Sequence, residues 1–167
     1  MCELYEINKP LIELIAQQVR CERPFRQKIG GSSLVPSLQN EIEFWTKYAN
    51  DKTKKIVVAH SGEKFIGFFA LDEIDHGAQK ARAHVHFWQQ SKTLPKLCQM
   101  FWAYCRDELG LLALWGMTSA KNAEAWNFAQ RIGFKKVGTL PHHYRDTQNG
   151  WSDCYISHLN LTPELSE

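Results

Sequence analysis

The chain has 167 residues, 44% of them apolar and 23% charged, with a formal net charge of +2. That length and balance suit one soluble domain able to bury a sizeable core. They argue against a nucleic-acid partner, which calls for a basic face, since the densest basic group is Lys52, Lys54 and Lys55.

Taken in chain order, Cys2–Ile7 alternates apolar and polar residues and reads as a strand. Pro10 opens a helix running to about Arg20, with Leu11, Leu14, Ile15 and Val19 at helical spacing. After a Gly30-Gly31-Ser32-Ser33 loop, a second helix spans Pro36 to Asn50, with Leu38, Ile42, Trp45 and Tyr48 or Ala49 on one side. Lys55–His60 and Phe65–Asp75 form a hairpin around Ser61-Gly62-Glu63, and Asp75-His76-Gly77 turns into a strand over Lys80–Gln89.

Leu94–Leu109 is the clearest helix, with an apolar stripe of Leu94, Leu97, Cys98, Phe101, Tyr104 or Cys105, and Leu109. Thr93 suits its N-cap and Gly110 its C-cap. A buried strand Leu111–Thr118, a helix Ala123–Ile132, a strand Phe134–Leu140, an Asn149-Gly150 turn and a last strand Trp151–Leu161 complete the order. This order predicts an α/β (α+β) fold over residues 1–167, a mixed, mostly antiparallel central sheet with helices on both faces.

No apolar run approaches the roughly 20 residues that span a bilayer, and Glu3 and Glu6 interrupt any opening signal segment. Five cysteines (Cys2, Cys21, Cys98, Cys105, Cys154) with no CxxC pair suggest reduced, mostly buried thiols in a cytoplasmic protein. No metal site is expected, because the neighbouring side chains of His142 and His143 point apart. Trp102 and Trp126 fall at the edges of their helical stripes, where aromatics often meet a partner protein.

The stretch Asn122-Ala123, a short amphipathic helix, Ile132-Gly133-Phe134, then Val137-Gly138-Thr139-Leu140 resembles the C-terminal half of GNAT-superfamily N-acetyltransferases, the ribosomal-protein type above all. The resemblance implies the same element order and a cleft where two parallel strands part. The pantetheine arm of acetyl-CoA enters such a cleft as an extra strand. Here the pair would be the strand ending near Trp88 and Leu111–Thr118. The family's glycine-rich loop presents backbone amides to the pyrophosphate at a helix N-terminus. In this chain the link from Gln89 to Lys96 has no glycine and is shorter, and Pro95 removes one donor. Lys92 and Lys96 offer positive charge there instead.

The resemblance further implies catalytic roles for His84 and Asn122, and acetyl-CoA contacts from Trp88, Gln89, Lys92, Lys96 and Asn122. His84 replaces the family's cleft-strand glutamate and shares a face with Arg82, His86 and Trp88. An imidazole is a competent base near neutral pH, though the same alternation suits a histidine that only lines a helix-facing or solvent side. Asn122 matches the family asparagine and equally suits an N-cap. The thiolate-protonating tyrosine falls on Ala129, with Tyr144, Tyr155 and Ser119 nearby but off the motif. The link holding His142-His143-Tyr144-Arg145 would wall the acceptor site.

Two functions follow. In size, shortened loop and retained Asn plus Gly-Phe segment, the chain also resembles degenerate GNAT-like proteins encoded among tailed-phage virion-assembly genes. That resemblance implies a non-catalytic assembly or interaction protein with a protein partner, cytoplasmic or virion-associated. The alternative is an active acetyl-CoA-dependent N-acetyltransferase acting on an amine of a protein or small molecule. An open cleft beside Trp88 and Trp115 favours the enzyme, and a plugged one the interaction protein.

Overall fold

A computed structural model describes residues 2–28, 36–62, 64–88, 92–146 and 150–162. The elements are β1 (Cys2–Glu6), α1 (Lys9–Lys28), α2 (Leu38–Asn50), β2 (Lys55–Ser61), β3 (Lys64–Asp75) and β4 (Lys80–Phe87). They continue with α3 (Leu94–Asp107), β5 (Ala113–Ser119), α4 (Ala123–Arg131), β6 (Lys135–Asp146) and β7 (Gly150–Asn160). The strands form one sheet in the order β1-β2-β3-β4-β5-β7-β6. Every neighbouring pair is antiparallel except β4 and β5, which are parallel. The expected mixed, mostly antiparallel sheet with helices on both faces is what the chain forms.

A central strand must be apolar on both sides, and β3 is: Ile66 through Leu71 are buried without a break. Successive side chains then serve opposite cores. Phe69 stacks on Phe101 of α3 at 4.3 Å between ring centroids, while Phe68 meets Trp45 of α2 edge-on at 5.2 Å. One core gathers Phe69, Leu71, Leu97, Phe101, Leu111 and Leu114 under α3, and Phe128 of α4 packs against it. The other gathers Ile15, Val19, Trp45, Tyr48, Val58 and Phe68 under α1 and α2.

Several boundaries differ from the sequence reading. α1 runs on past Arg20 and through Pro24 to Lys28. Apolar periodicity stops at Val19, and Pro24 has no amide to donate to the Arg20 carbonyl, so this last stretch forms despite one missing helical bond. α2 begins at Leu38, with the Ser37 hydroxyl accepting from the Asn40 amide at 3.1 Å. α3 ends at Asp107, where Gly110 (φ +65°) turns the chain and the Leu111 amide bonds back to the Cys105 carbonyl at 3.0 Å. The Thr93 side chain makes no cap bond to α3. His142-His143-Tyr144-Arg145 lies inside β6 rather than in a link. A register shift between Leu140 and Tyr144 lets the strand continue along β7, and His142 takes the irregularity at φ +49°.

Trp102 and Trp126 are half-buried, the first beside Phe69, Phe101 and Phe134, the second against Tyr155. Residues Gly30 to Ser33, Glu63, Gln89 and Asn149 lie outside the described residues.

Candidate active site

The site grows from the one parallel contact in the sheet. β4 and β5 pair at Lys80–Ala113, Ala81–Leu114 and Arg82–Trp115. Beyond that rung, among the described residues, Ala83–Phe87 and Gly116–Ser119 are not paired with each other. Each arm is instead held from outside, β4 by β3 and β5 by β7. The split starts close: a Cβ added to Gly116 would stand 3.6 Å from the Ala83 carbonyl oxygen. The two strands therefore make a fork whose inner edges offer peptide groups to an extended guest.

Alternation along β4 sends Arg82, His84 and His86 to the side covered by α1 and α2. A cavity of about 580 Å³ lies there, walled by Glu41, Trp45 and Tyr48 of α2, Asp72 of β3, and His84 and His86 of β4. Asp72 stands directly opposite Arg82 in register. Arg82 donates to both of its oxygens, Nε to Oδ1 and Nη2 to Oδ2, each at 2.7 Å. His84 Nε2 lies 3.2 Å from Oδ2. Burial favours the neutral form of Asp72, but the bonds from His84 and Arg82, with the Arg82 charge, outweigh it. The carboxyl is held well below its usual range. Arg82 also reaches Glu73 Oε1 at 3.4 Å and lies 5.5 Å from the Trp115 ring centroid. Tyr48 donates to the Leu71 carbonyl at 2.8 Å, and burial, then the Asp72 charge, push its hydroxyl pKa well up.

The other predicted residues occupy separate elements. Asn122 caps α4, its Oδ1 accepting from the Ala125 amide at 3.1 Å. Lys92 and Lys96 are exposed at the start of α3, Pro95 between them. Trp88 follows the end of β4, its ring against Phe65 and Phe68 at 5.0 and 5.8 Å. Gln89 lies outside the described residues. Ala129 is half-buried against the α3 core. On β6, burial and the neighbouring Cys154 push the Tyr144 hydroxyl up to about 12. Cys98 and Cys105 are buried in the α3 core, where burial pushes Cys98 up to about 12. No group of three metal-ligating side chains occurs among the described residues.

Sequence reasoning put Arg82 and His84 on one face but missed Asp72. The signal was an acid at the end of an otherwise apolar run, with the Asp75-His76-Gly77 turn setting which β4 residue it meets.

No protein-family profile matches the chain, and no curated protein matches it by sequence. Solved structures do match. The spermidine N-acetyltransferase of Vibrio cholerae, in complex with CoA and spermine, superposes with a TM-score of 0.82 at 16% identity, covering 96% of this chain and 95% of that one. The fold is that of the GNAT N-acetyltransferases. A dodecameric structure of the same Vibrio cholerae enzyme matches at TM-score 0.78 and 16% identity, over 99% and 96% of the chains. A point mutant of it matches at 0.79 and 16%, over 98% of each. All three of these structures are of a spermidine N-acetyltransferase, and the resemblance to phage virion-assembly proteins finds no support in them. No helix of the chain is long and apolar enough to cross a membrane, among the residues described.

Proposed function

We propose that the chain is an acetyl-CoA-dependent N-acetyltransferase acting on an amine, with the β4/β5 fork as the seat of the thioester and His84 as general base. The observation that carries this reading is the parting of β4 from β5 immediately past Arg82, beside a cavity into which β4 sets His84. Solved neighbours of this fold include spermidine N-acetyltransferases, so small alkyl polyamines are the first acceptors to test.

The residues present fit the acetyl donor unevenly. The unpaired inner edges of Ala83–Phe87 and Gly116–Ser119 suit the amides of a pantetheine arm. At the α3 terminus the glycine cradle is replaced by the charges of Lys92 and Lys96, with one amide donor lost at Pro95. A bound acetyl thioester would supply the carbonyl that the freed amine attacks; as the C–N bond forms and the C–S bond breaks, the second proton of the amine nitrogen would pass to the departing thiolate, directly or through water. His84 takes the ammonium proton of the acceptor, freeing the nitrogen lone pair, and returns that proton to solvent. Ala129 has no proton to give, so His84 is the acid–base group on which this reading rests.

A second reading, an interaction protein without catalysis, is favoured by the glycine-free link to α3 and by exposed Val137 and Trp151. Each charge-assisted bond lost from a phosphate cradle costs about 1.5–3 kcal/mol, so the loss of a few weakens CoA binding by orders of magnitude.

Calorimetry with acetyl-CoA, and CoA as control, separates the two. The enzyme reading expects a dissociation constant no weaker than about tens of micromolar. It also expects polyamine acetylation that falls roughly 10²–10⁴-fold in His84→Ala without loss of acetyl-CoA binding. No heat at millimolar acetyl-CoA would overturn it and leave the interaction protein.

A further inference from the structure

We propose that Asp72, clamped by Arg82, fixes His84 as its Nε2–H tautomer, making Nδ1 the proton-accepting nitrogen of the ring. Asp72 is then a positioning residue for the base. The inference rests on the reading of His84 as base, and it names which atom does the work.

An ionised carboxylate only accepts hydrogen bonds, and a neutral imidazole carries one donor and one acceptor nitrogen. With Asp72 Oδ2 at 3.2 Å from His84 Nε2, two acceptors cannot face each other, so the proton sits on Nε2. Nδ1 keeps the lone pair. The plane of the carboxylate is set first, by the paired 2.7 Å bonds from Arg82. The register places these groups: Asp72 is opposite Arg82, and His84 lies two residues along the same face of β4.

Arg82 is itself held on two further sides, by Glu73 Oε1 at 3.4 Å and by the Trp115 ring at 5.5 Å. Arg82–Trp115 is the last rung before β4 and β5 part. A continuous set of contacts therefore runs from β3 through β4 to the root of the fork. Among the described residues, the titratable groups facing His84 from the elements around it are Glu41 and Tyr48 of α2, Asp72 and Glu73 of β3, and Arg82 and His86 of β4. From α1 the cavity wall is Val19. Among these, Asp72 is the group bonded to Nε2.

A plain ion pair that only pins β3 to β4 would make a different prediction. Replacing Asp72 would then lower stability and leave the histidine tautomer alone. In Asp72→Asn, Arg82 keeps the amide oxygen as its acceptor, so the amide NH₂ turns to Nε2. That contact requires a bare Nε2 and moves the ring proton to Nδ1.

The test is imidazole nitrogen NMR on the full chain at about pH 8, above the ordinary histidine range, with His84 assigned through His84→Gln. The expected result is an Nε2-protonated His84 in the wild type and an Nδ1-protonated one in Asp72→Asn. In the same variant kcat should fall roughly 10²–10⁴-fold while KM for acetyl-CoA holds. A wild-type His84 protonated on Nδ1 overturns the inference by itself, even if Asp72→Asn fails to fold. An unchanged tautomer in Asp72→Asn overturns it too. A wild-type Nε2–H ring in a protein that acetylates no amine upholds the positioning by Asp72 and overturns the enzyme reading.

Discussion

A buried carboxylate costs several kcal/mol unless it is paired, and Asp72, 8% exposed, is paired with both Arg82 and His84. Because its folded pKa is depressed, the stability it contributes is present above the unfolded carboxylate pKa of about 3.9 and is lost as pH falls through the folded value. Asp72→Asn should therefore cost on the order of 2 kcal/mol near neutral pH. That is below the cost of breaking a fully buried pair, because Arg82 keeps some contact with water. The gap between wild type and variant should shrink progressively below about pH 4. Urea unfolding at pH 7, 5 and 3 reads it, and a gap that does not change with pH would refute the pairing. At this scale the sequence was half legible. Period-2 alternation put Arg82 and His84 on one face, but their partner depends on the β3–β4 register. That register is set by an irregular turn, with Glu73 at φ +53° and Gln79 at φ +51°, residues that carry no glycine signal.

Among the elements, the arm of the fork is held in place by a residue with no side chain. A Cβ on Gly67 of β3 would come 2.3 Å from the His86 carbonyl oxygen and 2.3 Å from Phe87 Cδ1. Backbone cannot rotate away as a flexible side chain can, so Gly67→Ala must push the end of β4 outward. The expected cost is about 1–3 kcal/mol or more, and on the acetyltransferase reading acetyl-CoA binding weakens too, since His86 and Phe87 belong to the arm itself. Gly62 makes a useful control: its φ is +63° and nothing lies within 4 Å of an added Cβ. Gly62→Ala should cost only the left-handed backbone strain, about 1–2 kcal/mol, and leave binding unchanged. Equal loss of binding in both variants would sever Gly67 from the fork. Element identity was legible wherever one face is buried: the stripe Leu94, Leu97, Cys98, Phe101 and Cys105 is the buried side of α3. The path of β6 through His142 was not, because its partner is β7 and pairing between strands leaves no local period in the sequence.

Across the whole molecule, the two cores share their walls. Phe68 and Phe69 are adjacent on β3 and serve opposite cores, as do Ile56 and Val57 on β2. Neither core can lose these strands and leave the other intact, so the chain should unfold as one cooperative unit. Ile15→Val under α1 and Ile66→Val under α3 test this, since both side chains are buried in separate cores. Each should cost about 0.5–1.5 kcal/mol. The double variant should match their sum within about 0.5 kcal/mol, as distant sites do. Far-ultraviolet and aromatic signals should report the same midpoint in every variant. An early transition shifted by Ile15→Val alone would mean that α1 and α2 release before the sheet. The consequence reaches the site, because α2 supplies Glu41, Trp45 and Tyr48 to the cavity while β3 and β4 supply Asp72 and His84. With one transition, the cavity wall is as durable as the fork. With two, the wall can open while Asp72, Arg82 and His84 stay assembled on the sheet, and on the acetyltransferase reading transfer would fail at temperatures where the fork still takes acetyl-CoA.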